Sequence, residues 1–331
     1  MTTRVILTGT GVPHTAPGRA GPGTLVRSGA VALQFDAGRA TALRLADAGV
    51  QLADLDVLFV THVHSDHVVD LADLVMTRWI ERPLHPAGPL PVVCPEGAPA
   101  RFVDRMLDPF DEDIALRMAH VGTTAPEVSC TTFAPTSRPE AVWTSPDGTV
   151  VVSAVAVHHE PVAAVAYRVD TPDGAVVVSG DTRVCAEVEA LAAGAAVVVH
   201  EACRRTALAD AIAGTVIETI FSYHADTVEL GGLAQRAAVP HLVLTHLIPA
   251  PTTDAEAAAF EADVRSGGYT GRVTVGTDLT TVLLGDGRPG PVRSLRQPVS
   301  SGRADRRSVS GRRTSPSANS ASDLGLPRTQ A

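Results

Sequence analysis

The segment Thr61–His67 carries four side chains of metal-binding type within seven residues. They are His62, His64, Asp66 and His67. Zn²⁺ and other borderline first-row metals prefer nitrogen and oxygen ligands at about 2.0–2.2 Å, so this clustering favours metal binding. The alternative is a solvated polar turn that happens to be rich in histidine. Three histidines within six positions, directly after an apolar run, argue against that interpretation.

The apolar run before this segment, Leu55–Val60, is of the kind that forms a buried strand. Three other runs have the same design and lead to a candidate ligand: Val150–Val157 before His158 and His159, Ala175–Ser179 before Asp181, and His241–Leu244 before His246. Open α/β sheets gather functional side chains at neighbouring strand ends, so we expect these ligands to converge. Adjacent strand residues point to opposite faces, so only one of the two neighbouring histidines can reach the site.

Strand-like and helical segments alternate along the rest of the chain. Further strands are predicted at Arg4–Leu7 and within Thr24–Phe35, the latter as one or two strands. Helical spacing is present at Ala40–Ala48, Val69–Trp79, Val184–Ala193, Thr227–Ala238 and Asp254–Ser266. Residues 82–100, rich in Pro and Gly, predict a loop with a short strand near Pro91–Cys94. The alternation predicts the α/β class.

The charge of the chain changes sign near its end. Residues 1–287 carry a net charge of −16, whereas the remainder carries +7. Apolar periodicity ends after Leu284, so we predict a folded domain over residues 1–286 and a disordered Arg/Ser/Pro-rich tail over 287–331. A basic arm for anionic partners is the alternative interpretation of the tail. An acidic body repels polyanions, which favours a small-molecule substrate over nucleic acid.

Several features point to a cytoplasmic protein without a membrane segment. No signal-peptide pattern precedes Arg4, and no apolar run approaches the roughly 20 residues that cross a bilayer. The four cysteines are scattered, as in a reduced protein. All 27 basic residues are arginines, which excludes a lysine-containing phosphate loop and Schiff-base chemistry.

The segment Thr61–His67 resembles the HxHxDH motif of the metallo-β-lactamase superfamily. Other segments are similar to its ribonuclease Z-like branch, which includes cyclic-nucleotide phosphodiesterases and arylsulfatase-like proteins. These segments are Gly9–Gly11, Asp36–Gly38, His200–Ala202, His224–Thr227 and Val275–Leu279. The resemblance covers roughly residues 4–284. It implies an αββα sandwich, in which two mixed sheets pack face to face with helices outside.

The resemblance also implies how two divalent metal ions would be bound. His62, His64 and His159 would hold one ion, Asp66, His67 and His246 the other, and Asp181 would bridge them. His159 fits the family spacing better than His158. Zinc is the expected metal, although manganese or iron would also fit. Such ions lower the pKa of water and so provide a nucleophile at neutral pH.

Three residues are predicted to act in catalysis. Asp66 could orient or deprotonate the attacking water, and His224 could be the general acid for the leaving group. Glu201 would hydrogen-bond His224 and fix its tautomer. The alternative is that Glu201 and His224 are structural. Arg78, Trp79 and Arg82, which follow the motif helix, could line a substrate mouth, but helix packing with solvated charges is the favoured interpretation.

The function that fits best is hydrolysis of a phosphodiester or a related small ester by a dinuclear metal centre. Hydrolysis of a carboxylic ester, a sulfate ester or a lactone is the next interpretation. Processing of the tRNA 3′ end fits less well, because ribonuclease Z proteins usually carry a substrate-binding arm where only 21 residues separate His159 from Asp181. A non-catalytic metal-binding scaffold would have lost ligands, whereas every expected position is filled. A homodimer is expected by similarity, and pocket-lining loops such as residues 82–148 contain no motif that identifies a substrate.

Overall fold

Two seven-stranded mixed sheets form the centre of the computed structural model, which describes residues 2–285. The predicted tail lies outside these residues. The strands are β1 (Arg4–Gly9), β2 (Gly23–Ser28), β3 (Val31–Phe35), β4 (Val57–Phe59), β5 (Leu90–Pro95), β6 (Val128–Phe133), β7 (Glu140–Thr144), β8 (Val151–His159), β9 (Val162–Thr171), β10 (Gly174–Val178), β11 (Val197–Cys203), β12 (His241–Ile248), β13 (Arg272–Val275) and β14 (Thr281–Leu283). One sheet has the order β14-β1-β2-β3-β4-β5-β6, and the other has the order β13-β12-β11-β10-β9-β8-β7.

The outer face of each sheet is covered by helices. The helices of the described residues are α1 (Thr41–Asp47), α2 (Ser65–Val68), α3 (Leu71–Ile80), α4 (Ala98–Arg105), α5 (Asp111–Val121), α6 (Ala186–Ala192), α7 (Arg205–Ile212), α8 (Val216–Phe221), α9 (Thr227–Arg236) and α10 (Asp254–Ser266). Helices α1, α3 and α4 pack on the first sheet, and α6, α9 and α10 pack on the second. A third apolar cluster lies between the sheets. The predicted αββα sandwich is therefore confirmed.

The core between the sheets also fixes the strand that precedes the metal-binding segment. The rings of Phe35, Phe59 and Tyr167 lie 4.9–5.5 Å apart between their centroids. The hydroxyl group of Tyr167, on the second sheet, donates a hydrogen bond of 2.7 Å to the carbonyl oxygen of Val60, on the first. This contact links the two sheets directly beside Thr61.

The candidate ligands follow the carboxyl ends of parallel strands. Strands β3, β4 and β5 are parallel in the first sheet, and β10, β11 and β12 are parallel in the second. Their carboxyl ends carry the segments that contain the candidate ligands. Strand β8 is antiparallel to β9, which is antiparallel to β10, so β8 ends at the same edge. The expected convergence at strand ends follows from this topology.

The predicted helices and strands agree with the structure to within a few residues at most boundaries. Helix α10 covers the predicted residues, and a capping box of Thr253 and Glu256 defines its start. The main difference is the segment 82–148, which we treated as pocket-lining loops but which also contains α4, α5, β6 and β7. No residue of α5 is buried, and most of β6 is exposed, so neither element has the apolar periodicity on which the prediction depended. Within residues 2–285, no helix combines the length and apolar character needed to cross a membrane.

Candidate metal centre and active site

Seven side chains from four segments converge at the carboxyl edge of the two sheets. Their ligand-type atoms form two groups in which all atoms lie within 4.8 Å of one another: His62, His64, His159 and Asp181, and Asp66, His67 and His246. All but His64 are buried. These two groups contain the residues of the two predicted sets, and a third group of the same kind contains Asp181, His224 and His246.

Asp181 lies between the two groups. Its Oδ2 atom is 3.8 Å from His62 Nε2 and 3.7 Å from His159 Nε2. The same oxygen is 3.4 Å from His246 Nε2, and Oδ1 is 3.3 Å from His67 Nε2. One carboxylate thus reaches both groups, which is the position a bridging ligand requires.

The chemistry of these atoms fits bound cations. Six buried side-chain atoms at the site lack a hydrogen-bond partner among residues 2–285: Nε2 of His62 and His67, both ring nitrogens of His246, Oδ2 of Asp66 and Oδ1 of Asp181. Most buried polar atoms in proteins are paired, so this concentration indicates a missing positive partner. Nitrogen and carboxylate oxygen donors are the set that zinc, manganese or iron prefer.

The protonation states of His62 and Asp181 suit metal binding. Burial, with the neighbouring His67, holds the pKa of His62 well below its usual value, so its imidazole is neutral and has a free lone pair. Burial alone would raise the pKa of Asp181, but His246 and His67 outweigh it and hold that pKa well below the usual range. Asp181 is therefore an ionised carboxylate. Burial alone would lower the pKa of His67, but Asp181 and Asp36 outweigh it and raise that pKa well above its usual value, so a metal ion at His67 would have to displace a proton.

A buried hydrogen-bond chain orients His67. The Nδ1 atom of His67 donates to Asp36 Oδ2 at 2.7 Å, which leaves Nε2 facing the site. Asp36 also accepts hydrogen bonds of 2.8 Å from the backbone N–H and the hydroxyl of Thr61. A carboxylate behind a ligand histidine fixes its tautomer and ring orientation.

His246 reaches the site through a β-bulge. Strands β11 and β12 pair Glu201 with Thr245 and then Ala202 with Leu247, so His246 is the extra residue. Its φ of 44° lies in the left-handed region, which is uncommon outside glycine. We expected this histidine just after a strand, but β12 continues to Ile248. The bulge turns the side chain toward the site without ending the strand.

The structure distinguishes the two adjacent histidines of β8. His159 is buried, and its Nδ1 donates to the carbonyl oxygen of Tyr223 at 3.2 Å. The side chain of His158 is 40% exposed and lies 3.3 Å from Glu187, away from the ligand groups. Only His159 lies with the other candidate ligands.

Glu201 and His224 form a second polar pair beside Asp181. The Nδ1 atom of His224 lies 3.0 Å and 3.1 Å from the two carboxylate oxygens of Glu201. Burial alone would lower the pKa of His224, but Glu201 outweighs burial and raises that pKa to about 9. The predicted contact is present, while the catalytic role of the pair stays a prediction. His224 also stacks on His246, with ring centroids 5.4 Å apart.

Comparison with known proteins places this centre in a family. The sequence model of the beta-lactamase superfamily domain matches residues 28–247. The chain belongs to the metallo-β-lactamase superfamily. A protein named ribonuclease Z from Mycobacterium sp. (strain KMS) is 40% identical over 283 residues, which cover 82% of this chain and 95% of that protein. The chain is thus a metallo-hydrolase of this superfamily with ribonuclease Z-like relatives.

Solved structures show the same superfamily fold. The metallo-beta-lactamase fold protein YhfI from Bacillus subtilis is similar with a TM-score of 0.66 and 20% identity, and the match covers 86% of this chain and all of that one. The short form of human tRNase Z is similar with a TM-score of 0.59 and 18% identity, over 84% of this chain and 98% of that one. At these identities the likeness concerns the fold.

Two residues near the superfamily motif have structural roles. Arg78 is buried and donates to the backbone carbonyl groups of Gly88, Leu52 and Leu55. Trp79 is also buried, and its indole N–H donates to the carbonyl oxygen of Thr124 at 2.7 Å. Helix packing therefore accounts for Arg78 and Trp79, whereas Arg82 is half-buried and lies with Trp79 at a surface cavity.

Sequence reasoning assigned no role to Asp36 or Tyr223, each of which contacts a candidate ligand. Asp36 could have been found, because it belongs to the Asp36–Gly38 segment that resembles the superfamily. Tyr223 contacts His159 through its backbone carbonyl group. Every residue type has this group, so the sequence could not predict the contact.

Proposed function

We propose that the protein is a dinuclear metal-dependent phosphodiesterase that acts on a small substrate. The main support is the position of Asp181, one carboxylate within 4 Å of histidines from both ligand groups. Two cations held near one another need a shared anion, and the superfamily membership makes hydrolysis the expected chemistry.

The proposed ligands divide as in the two observed groups, and zinc is the metal we expect. His62, His64 and His159 would hold one ion, Asp66, His67 and His246 would hold the other, and Asp181 would be shared. The ions supply Lewis-acid stabilisation of negative charge and lower the pKa of water toward neutrality.

Side chains of the protein are proposed to orient the attacking water and to donate a proton to the leaving group. Asp66 has two carboxylate oxygens, so one could bind the ion while the other accepts a hydrogen bond from the attacking water and orients it. His224 is the proposed proton donor to the leaving group. Glu201 binds Nδ1 of His224, which leaves Nε2 as its second proton-bearing atom, and favours the charged imidazolium. Proton donation to the leaving oxygen is the step that a poor leaving group needs most.

Processing of tRNA is the second candidate function, because a relative at 40% identity is named ribonuclease Z. The chain from His159 to Asp181 argues against it. That stretch contains only the end of β8, strands β9 and β10, and their turns, and so contains no substrate-binding arm. The acidic body also disfavours extended nucleic acid. A small phosphodiester therefore remains the leading proposal.

A substrate panel tests the proposal. The zinc-loaded and manganese-loaded proteins are assayed on bis(p-nitrophenyl) phosphate, cyclic nucleotides, a pre-tRNA, aryl sulfates, aryl esters and lactones. We expect phosphodiester hydrolysis that a chelator abolishes and added metal restores. Faster turnover of sulfates, esters or lactones would favour those chemistries, and efficient pre-tRNA cleavage would overturn the argument from the missing arm. A protein without bound metal or activity would be a scaffold.

The role of His224 has its own test. His224→Ala should lower kcat by about 10²–10⁴-fold while the metal content stays that of the wild type. Glu201→Gln should lower kcat less and change the pH profile, because the imidazolium loses its carboxylate partner. His158→Ala is a matched control, since that histidine faces away from the ligand groups, and it should not affect turnover. Normal turnover of His224→Ala would remove the residue from the mechanism.

A further inference from the structure

Arg39 lies in the turn between β3 and α1, which packs directly on the metal-binding segment. The N–H of Ala37 donates to the carbonyl oxygen of His67 at 2.7 Å. Gly38 approaches the carbonyl oxygen of Asp66 so closely that a Cβ atom would overlap it. The backbone of Arg39 is therefore fixed immediately beside two candidate ligands of the second metal group.

The side chain of Arg39 extends from this turn toward the loop between β1 and β2. It is exposed, and its Nη2 lies 3.5 Å from the carbonyl oxygen of Pro13, in the loop between β1 and β2. The preceding residue of that loop, Val12, packs against Ile248, two residues after His246. The guanidinium thus lies beside the loop that packs next to the end of β12, the strand that carries His246.

The charge of Arg39 is not neutralised by a carboxylate within 4.0 Å among residues 2–285. Other arginines close in sequence to site residues are bound to acids: Arg183 to Glu160, Arg204 to Asp263, and Arg205 to Asp226 and Glu229. Arg19, in the same loop as Pro13, donates to Thr10 Oγ1 and the carbonyl oxygen of Gly276. Arg39 therefore differs from Arg183, Arg204 and Arg205 in having no carboxylate partner among residues 2–285, and from Arg19 in being exposed.

We propose that Arg39 binds a second anionic group of the substrate, a phosphate beyond the phosphodiester at the metal centre. The inference rests on the proposed function and specifies its substrate class. A guanidinium binds phosphate through two parallel N–H donors and is less strongly hydrated than an ammonium group. Arg39 lies outside the buried ligand groups, so its partner is a separate group of the substrate rather than the phosphate undergoing cleavage. Substrates with two phosphates, such as phosphorylated nucleotides, fit this arrangement.

Calorimetric titration of the zinc-loaded protein tests the proposal without relying on turnover. The probes are thymidine 5′-monophosphate and thymidine 3′,5′-bisphosphate, which differ by one phosphate. The wild type should bind the bisphosphate about 10-fold more tightly, as expected for one charge-assisted contact at an exposed site. Arg39→Ala should remove this advantage, and Arg39→Lys should retain part of it. Arg183→Ala, which removes an exposed arginine already bound to an acid, is the matched control and should keep the full advantage.

The outcomes separate this proposal from the proposed function. Equal affinity of the wild type for both probes would overturn it, as would an unchanged advantage in Arg39→Ala or an equal loss in Arg183→Ala. Hydrolysis of bis(p-nitrophenyl) phosphate by the wild type is measured in parallel. If that hydrolysis is absent while Arg39→Ala still loses the bisphosphate advantage, the proposed function fails and the second-phosphate site stands.

Discussion

Replacing Asp36 by Asn should weaken metal binding without removing a metal ligand. Asn fits the backbone, because Asp36 has a φ of 57° and Asn tolerates the left-handed region well. Oδ1 accepts from the Thr61 N–H, and Oδ2 accepts from both His67 Nδ1 and the Thr61 hydroxyl. An amide nitrogen in place of Oδ2 is a donor. The Thr61 hydroxyl can rotate to accept a hydrogen bond from this nitrogen. His67 Nδ1–H is itself a donor and would be left without an acceptor.

The magnitude follows from that one unpaired donor. A buried donor without a partner costs about 1–3 kcal/mol, and loss of a partner behind a ligand histidine typically lowers metal affinity 10–100-fold. We expect Asp36→Asn to lose the second metal at chelator concentrations 10–100-fold lower than the wild type does. Metal per chain is measured after dialysis against graded chelator, alongside thermal unfolding. Asp173→Asn is the isosteric control, because Asp173 binds Thr3 at the other end of the strands and should not affect metal retention. Wild-type metal retention in Asp36→Asn would refute the assignment of His67 as an oriented ligand.

Three further changes test the framework around the site. Tyr167→Phe keeps the aromatic packing but leaves the Val60 carbonyl group unpaired, which should lower the free energy of unfolding by about 1–3 kcal/mol in chemical denaturation. Gly38→Ala should reduce both stability and turnover, because its Cβ overlaps the Asp66 carbonyl oxygen, whereas Gly88→Ala, with open space around the Cβ, should affect neither. Removing metal from the wild type with a chelator should lower Tm, since an ion at 100 times its Kd adds about 2.7 kcal/mol to the folded state, and an unchanged Tm would contradict a buried metal centre.

The first half of the site could be predicted from local sequence because one short segment contains it. His62, His64, Asp66 and His67 lie within six positions, so no long-range folding is needed to bring them together. The apolar run before them indicated the strand, and the structure has β4 at Val57–Phe59. Asp181, three residues after the end of β10, could be predicted on the same grounds.

The second half depends on contacts between distant parts of the chain. The bulge at His246 arises from the register of β12 against β11, which local periodicity does not encode. The choice between His158 and His159 depends on which face of β8 meets the other sheet, and alternation alone allows either. The contact between Asp36 and His67 joins residues 31 positions apart. The sequence therefore identified His159 and His246 as candidate ligands, but it did not predict how their side chains are oriented.

The residues proposed to carry out the chemistry differ in their surroundings from the residue proposed to select the substrate. All candidate ligands but His64 are buried, and interior contacts such as those of Asp36 and Tyr223 hold them, so a change in one disturbs several others. Arg39 is exposed and has a single long contact to Pro13, so its replacement disturbs little of the interior. Substitutions in such exposed residues can change which substrate binds while the metal centre stays intact. This is why a motif shared across a superfamily identifies the hydrolytic centre, whereas the substrate must be inferred from exposed residues that the motif does not contain.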